Sequence, residues 1–127
     1  MTVVDEDEGE RPGPALDGRT FAVVLLRIDG SLAPLPEGVH VDARFVDGRV
    51  SGTSGCNRYT ADCIVEGATI RIGPVATTRM ACPSESLAAQ EAAYLAALAA
   101  AVTWSVSGDR LELRDARGAM QATFVRA

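Results

Sequence analysis

The sequence predicts a mainly β fold of the α+β class, an antiparallel barrel-like sheet of about seven to eight short strands packed by a single α-helix. The first observation is a series of short apolar runs separated by turn pairs such as Asp47-Gly48, Glu66-Gly67 and Gly108-Asp109. Such pairs favour hairpins, and hairpins join antiparallel neighbours. The second observation is one segment, about residues 84–101, whose apolar spacing changes to that of a helix.

The predicted strands follow one another with only a few turn residues between most of them. In chain order they are 20–28, 39–46, 49–52, 59–65, 68–72, 102–106, 110–114 and 119–125. The first is a continuous apolar run, which is typical of a strand that is buried on both faces. The second alternates more and leads into the Asp47-Gly48 turn.

The helical segment carries its large apolar residues on one predicted face. They are Leu87, Tyr94, Leu95, Leu98 and Val102. Pro83 presets the backbone at the helix start, either Ser84 or Ser86 is suited to cap the free amides, and Glu85 lies near the positive end of the helix dipole. Many alanines favour the helix and allow close approach to a sheet.

The first 15 residues differ in composition from the rest of the chain. Five acidic residues against Arg11 give this segment a charge of -4 and leave -1 for the remaining residues. With its Gly and Pro content, residues 1–15 are predicted to be a disordered acidic tail, or alternatively a docking tail, ahead of one domain at 16–127. All 12 basic residues are Arg, and they form no dense patch, which argues against nucleic acid binding.

The sequence contains neither a signal peptide pattern nor an apolar run of about 18 residues, so no membrane span is expected. We expect a monomer that is cytoplasmic as written, or located in the envelope or periplasm if a signal peptide or lipid anchor has been removed. The three cysteines leave the compartment open, because they fit neither a disulfide-dense nor a cysteine-free protein.

Two short motifs carry a family resemblance: Gly55-Cys56-Asn57-Arg58-Tyr59 and Thr78-Arg79-Met80-Ala81-Cys82-Pro83. Together with Glu91 and Tyr94 downstream, they resemble the META domain family, which includes the bacterial heat-inducible HslJ-like proteins. The resemblance covers about residues 16–126. Phe21 stands where the family usually has Trp, and Cys63 stands near a position that is usually aromatic.

The resemblance implies a small barrel-like sheet with one helix, found alone or attached to envelope lipoproteins and linked with stress response, drug resistance or motility. It implies no enzymatic activity and no cofactor. The expected function is therefore non-enzymatic binding of a protein partner or a small apolar ligand. Two alternatives stay open: a redox or thiol enzyme using Cys56, Cys63 and Cys82, and a purely structural domain appended to another chain.

The cysteines have two arrangements that the sequence leaves equally open. If the loop after Gly55 faces the helix entrance, a Cys56–Cys82 disulfide closes a loop of about 25 residues and stabilises the fold by roughly 3 kcal/mol. The alternative is a pair of neighbouring reduced thiols. Cys63 is expected to be a buried free thiol, although it could replace either partner in the pairing.

Other residue combinations have the composition of a metal site or a catalytic site but lack the sequence spacing that such sites usually have. Cys56, Cys63, Cys82 and His40 have the composition of a zinc site, but no Cys-x-x-Cys pair occurs, so no metal is predicted. A catalytic Cys56–His40 pair is a weaker reading of the same residues. Ser54 lacks the glycine spacing of a hydrolase nucleophile elbow.

The remaining polar residues are assigned structural roles. Thr77, Thr78 and Arg79 are expected to make buried hydrogen bonds that tie the helix entrance to the sheet, with binding of an anionic ligand as the alternative for Arg79. Four carboxylates near turns or on alternating strand positions are expected to be solvated or to cap turns. They are Asp42, Asp47, Asp62 and Glu66.

Overall fold

The computed structural model describes residues 16–127, so the acidic segment 1–15 and its predicted disorder lie outside the described residues. Ten strands and one helix follow in chain order. They are β1 (Arg19–Ile28), β2 (Ser31–Ala33), β3 (Asp42–Val46), β4 (Arg49–Thr53), β5 (Arg58–Glu66), β6 (Thr69–Ile72), β7 (Ala76–Thr77), α1 (Glu85–Ala100), β8 (Thr103–Ser107), β9 (Arg110–Arg114) and β10 (Met120–Arg126).

Eight of the strands close into an antiparallel barrel in the order β1-β3-β4-β5-β6-β8-β9-β10, with β10 pairing back onto β1. The two shortest strands lie off this ring: β2 extends the sheet from β1, and β7 pairs with β5. The helix packs against β1, β10 and β6. The predicted fold class is confirmed, while β2 and β7 were not anticipated because three and two residues are too few for a visible pattern.

The β3–β4 turn shows how the hairpins arise from sequence. Asp47 and Gly48 have φ values of 50° and 78°, so both lie in the left-handed region that a two-residue hairpin of the predicted kind requires. β3 begins at Asp42, later than predicted, because Val39 donates a backbone hydrogen bond to Pro36 in a preceding turn.

Side chains fill the inside of the barrel. The most deeply buried large residues are Phe21, Leu26, Val50, Tyr94, Leu98, Leu111, Leu113 and Phe124. Phe21 makes an edge-to-face contact with Phe45, so it retains the role of an aromatic core residue. The prediction that the first strand is buried on both faces is wrong, because β1 contributes Phe21, Val23 and Leu26 to the core while its other residues are only partly buried.

The helix matches its predicted extent to within one residue at each end, but its buried face is rotated from the predicted one. Tyr94 and Leu98 are buried as expected, whereas Leu87 and Leu95 are only partly buried and Val102, beyond the helix end, is 37% exposed. The buried face instead includes Gln90, Glu91 and Ala97. Two polar side chains therefore point from the helix into the protein interior.

The helix cap provides a direct test of local stability. The Ser84 hydroxyl accepts a hydrogen bond from the Leu87 amide at 3.1 Å, which selects Ser84 over Ser86 as the cap. We expect Ser84→Ala to lower the free energy of unfolding by about 1 kcal/mol in chemical denaturation. Ser86→Ala is the matched control and should change it by less than about 0.5 kcal/mol. Equal effects from the two variants would contradict the assignment.

Candidate functional site

The two sequence motifs meet at the start of the helix. The first occupies the loop between β4 and β5, and the second occupies the segment between β7 and α1. Cys56 and Cys82, 26 residues apart, are joined in a disulfide with a Cα–Cα distance of 5.6 Å. The structure thus places the loop after Gly55 opposite the helix entrance, which was the condition for the predicted pairing.

The carboxylate of Glu91 lies at the centre of this junction and is only 8% exposed. Its Oε2 accepts hydrogen bonds from the Ser54 hydroxyl and from the Asn57 amide, the latter at 3.0 Å. Its Oε1 accepts a hydrogen bond from Asn57 Nδ2 at 3.0 Å. The same oxygen lies 3.1 Å from Cys56 Sγ and 3.6 Å from Cys82 Sγ. One helix carboxylate therefore contacts both motifs.

Asn57 extends this network to the second motif. Its Oδ1 accepts hydrogen bonds from the Met80 amide at 2.8 Å and from the Thr78 hydroxyl at 2.9 Å. Thr78 Oγ1 in turn accepts a hydrogen bond from the Arg58 amide at 3.1 Å. Thr78 thus ties the segment before the helix to the sheet, as predicted. The prediction that these bonds are buried is wrong, because Thr77, Thr78 and Arg79 are all exposed.

Gly55 and Gln90 are in close contact beside the disulfide. A Cβ at position 55 would lie 2.5 Å from Gln90 Oε1, and Gly55 has a φ of 122°. The positive φ favours glycine here, and any larger residue would also have to displace the Gln90 side-chain amide. Gln90 Oε1 is itself buried without a hydrogen-bond partner, whereas Gln90 Nε2 lies 3.5 Å from the Ser54 carbonyl oxygen.

A pair of tyrosines fastens the helix to the barrel below this junction. The Tyr59 and Tyr94 hydroxyls are 2.6 Å apart, and Tyr59 also donates to the Asp42 carbonyl oxygen at 2.9 Å. Their rings pack edge to face, and Tyr94 makes a second edge contact with Phe124. Burial raises the pKa of both phenols, so both remain neutral hydrogen-bonding groups.

Of the four residues considered for a Cys3His zinc site, only Cys56 and Cys82 come together. Among residues 16–127, the group that brings metal-ligating atoms together is Cys56, Cys82 and Glu91, and it includes neither His40 nor Cys63. His40 is 65% exposed and contacts the Asp42 carboxylate at 3.0 Å. No contact joins His40 to Cys56 in the described part of the chain, so the structure gives no support to a catalytic Cys56–His40 pair.

Two further polar residues have clear structural roles. Ser54 is completely buried and hydrogen-bonded, so its hydroxyl is closed to solvent. Asp42 does more than the predicted solvation or turn capping, because its Oδ1 accepts a hydrogen bond from the Thr53 amide across the sheet at 2.9 Å. Asp62 is exposed and pairs with Arg49 at 2.6 Å on the barrel surface.

A second feature lies at the opposite end of β4, where β3 turns into β4. It is a pocket of about 210 Å³ lined by Leu16, Asp17, Phe45, Val46, Gly48, Arg49, Cys63 and Val65. Cys63 is the free thiol of the described chain and is 5% exposed, as predicted for a buried cysteine. Burial raises the pKa of this thiol to about 11.

Sequence reasoning did not assign a role to Glu91 or Gln90. Glu91 lies three residues before Tyr94 and seven before Leu98, so helical spacing already places it on the apolar face. A charged residue on the apolar face of a helix is the signal that could have identified Glu91 as a site residue. Carboxylates are rarely buried without hydrogen-bond partners, so such a residue implies partners nearby.

Within residues 16–127, no helix has both the length and the apolar character needed to cross a bilayer. A search of curated proteins found no significant match. Solved structures that share the fold include an NMR structure of a protein from Burkholderia xenovorans and a crystal structure of a DUF4847 family protein from Bacteroides vulgatus.

The Burkholderia protein is 25% identical, with a TM-score of 0.74 over 93% of this chain and 89% of that one. The Bacteroides protein is 16% identical, with a TM-score of 0.65 over 91% of this chain and 96% of the other, a likeness that concerns the fold alone. The family model of the META domain matches residues 15–127, which is most of the sequence. The chain therefore belongs to the META domain family.

Proposed function

We propose that this META domain is a non-enzymatic binding domain that takes a small apolar ligand in the pocket between the β3–β4 turn and β5. The observation that carries the proposal is the pocket itself, which lies beside a barrel interior that is filled by side chains. A concave, largely apolar site with a few polar groups is the usual form of a small-molecule site.

The lining of the pocket indicates the class of ligand. Leu16, Phe45, Val46 and Val65 supply apolar surface, while Asp17 and Arg49 supply polar groups. A cavity of about 150 Å³ is large enough to hold benzene, so a pocket of about 210 Å³ suits a short alkyl chain or a substituted aromatic ring. It is below the usual range for drug-sized molecules.

The state of the three cysteines supports binding over thiol catalysis. A reactive thiol is partly exposed and has a lowered pKa, whereas Cys63 is buried and its pKa is raised to about 11. Cys56 and Cys82 are joined to each other and act as a link between the sheet and the helix.

The disulfide also supports an oxidising setting. Structural disulfides persist mainly in secreted and envelope proteins. We therefore include in the proposal an envelope location and the stress-response setting that the resemblance implies.

The test uses two aromatic substitutions at neighbouring positions of β5. Val65 lines the pocket, whereas Ile64 points outward and is 48% exposed. We expect short alkylbenzenes and alkanols to raise the Tm of the wild type and of Ile64→Phe, and to have no effect on Val65→Phe, whose ring fills the pocket. Bound ligand should also slow alkylation of Cys63 severalfold in the wild type.

Stabilisation that persists in Val65→Phe would place the ligand elsewhere and contradict the proposal. If no compound raises the Tm or protects Cys63, the small-ligand function is wrong, and binding of a protein partner becomes the version to test. Far-ultraviolet circular dichroism of both variants confirms that they fold.

A further inference from the structure

The junction between the two motifs contains a buried carboxylate, that of Glu91, for which residues 16–127 provide no cationic hydrogen-bond partner. The groups that donate to Glu91 are the Ser54 hydroxyl and the Asn57 amide and side chain, all of them neutral. Burying a carboxylate is costly, and a positive charge nearby compensates that cost best. The groups next to its Oε1 are Asn57 Nδ2 and the two cysteine sulfurs.

From this arrangement we propose that reduction of the Cys56–Cys82 disulfide creates a site for a zinc-like divalent cation, held by the two thiolates and by Glu91 Oε1. Thiolate ligands select zinc and related metals over magnesium and calcium. Three protein ligands with a solvent molecule in the fourth position form a common type of open zinc site. Cys56 and Cys82 are both partly exposed, which leaves an approach for the ion and for solvent.

The distances already present fit such a site. The ligating atoms of Cys56, Cys82 and Glu91 all lie within 4.8 Å of one another. In a tetrahedral zinc site with usual bond lengths, a sulfur–oxygen edge is about 3.5 Å and a sulfur–sulfur edge about 3.8 Å. The two sulfur–oxygen distances are 3.1 and 3.6 Å, so the sulfur–sulfur edge needs to lengthen once that bond is broken, and the Cys56 sulfur–oxygen edge needs to lengthen slightly.

The surrounding hydrogen bonds orient the carboxylate for this role. Oε2 is occupied by the Ser54 hydroxyl and the Asn57 amide, and this leaves Oε1 facing the sulfurs. Hydrogen bonds of this kind to a ligating carboxylate fix its orientation and raise metal affinity.

A phosphine can serve as the reductant that breaks the Cys56–Cys82 disulfide. The S–S bond breaks, phosphorus is oxidised to a phosphine oxide with the oxygen of one water molecule, and the two sulfurs take that molecule's protons. Binding of the cation then forms two metal–sulfur bonds and releases both thiol protons to solvent. The proposal is independent of the pocket at Cys63, so the two can fail separately.

The test is a cobalt titration of the protein after phosphine reduction and anaerobic removal of the reductant. We expect thiolate-to-cobalt charge-transfer absorption that saturates at one equivalent, in the reduced wild type and in reduced Cys63→Ala. Zinc should displace the cobalt. The oxidised wild type and reduced Cys82→Ser should not give this absorption. Reduced Glu91→Gln should bind cobalt at least about 10 times more weakly, because losing a ligand costs no less than losing a residue that orients one.

Binding of the metal by a carboxylate can also be measured in the wild type, so the test does not depend on whether Glu91→Gln folds. Infrared difference spectra should show the carboxylate stretching bands of the reduced protein shift on addition of zinc. Unshifted bands, unchanged affinity in a folded Glu91→Gln, absorption that requires Cys63, or no absorption in the reduced wild type would each overturn the proposal. A reduced chain that unfolds and does not refold with zinc would also overturn it.

Discussion

Replacing Glu91 with alanine should lower the free energy of unfolding by about 3 to 5 kcal/mol, because it removes three hydrogen bonds to a charged group in a buried place. The donors are the Ser54 hydroxyl, the Asn57 amide and Asn57 Nδ2, and the Asn57 amide is left without an acceptor. The loss is a large fraction of the stability of a small domain. Thermal unfolding should show a fall in Tm of at least about 10 °C.

The matched control is Glu85→Ala on the same helix. Glu85 is exposed in the first turn, near the positive end of the helix dipole, so its removal should cost less than about 1 kcal/mol. If Glu91→Ala were as mild as Glu85→Ala, the carboxylate would not hold the two motifs together.

Removing the disulfide should have the next largest effect. The double variant Cys56→Ser, Cys82→Ser frees the unfolded chain from a cross-link between residues 26 apart, which costs about 3 kcal/mol of stability. Chemical denaturation of the oxidised wild type and the double variant measures the difference. A phosphine reductant should lower the Tm of the wild type towards that of the double variant.

The double variant is also the control for the reductant, because its Tm should not respond to it. A wild-type Tm that is insensitive to reduction would contradict a stabilising disulfide. Alkylation of thiols in intact cells before lysis tests the proposed oxidising setting. There we expect Cys63 to be the unpaired cysteine and the other two to be protected.

The fold class was predictable because its signals are local. The Asp47-Gly48 turn, the apolar runs and the helical spacing after Pro83 each depend on residues near in sequence, and each reappears in the structure. The rotation of the helix face was not predictable in this way. The spacing of Leu87 and Leu95 also fits the helical period, so the sequence placed them on the buried face. Packing of the helix against β1 and β10 buries Glu91 and Gln90 instead.

The two cysteine motifs show where sequence reasoning ends at the candidate site. Their residues indicated the family and left a disulfide and a reduced pair equally open, because the distance between two loops depends on the whole barrel. β10 pairs with β1 to close the barrel, and the helix packs against both strands. This arrangement helps to place Cys82 beside Cys56 and both cysteines beside Glu91.

The antiparallel sheet of hairpins, the helix and the META family follow from local features of the chain, namely its turn residues, its apolar periods and its two motifs. Which polar groups meet follows from the three-dimensional packing. Glu91 is remote in sequence from Ser54 and Asn57, and the pocket combines Leu16 with Cys63. Contacts between distant segments depend on strand pairing and core packing, and neither is encoded in any short stretch of residues.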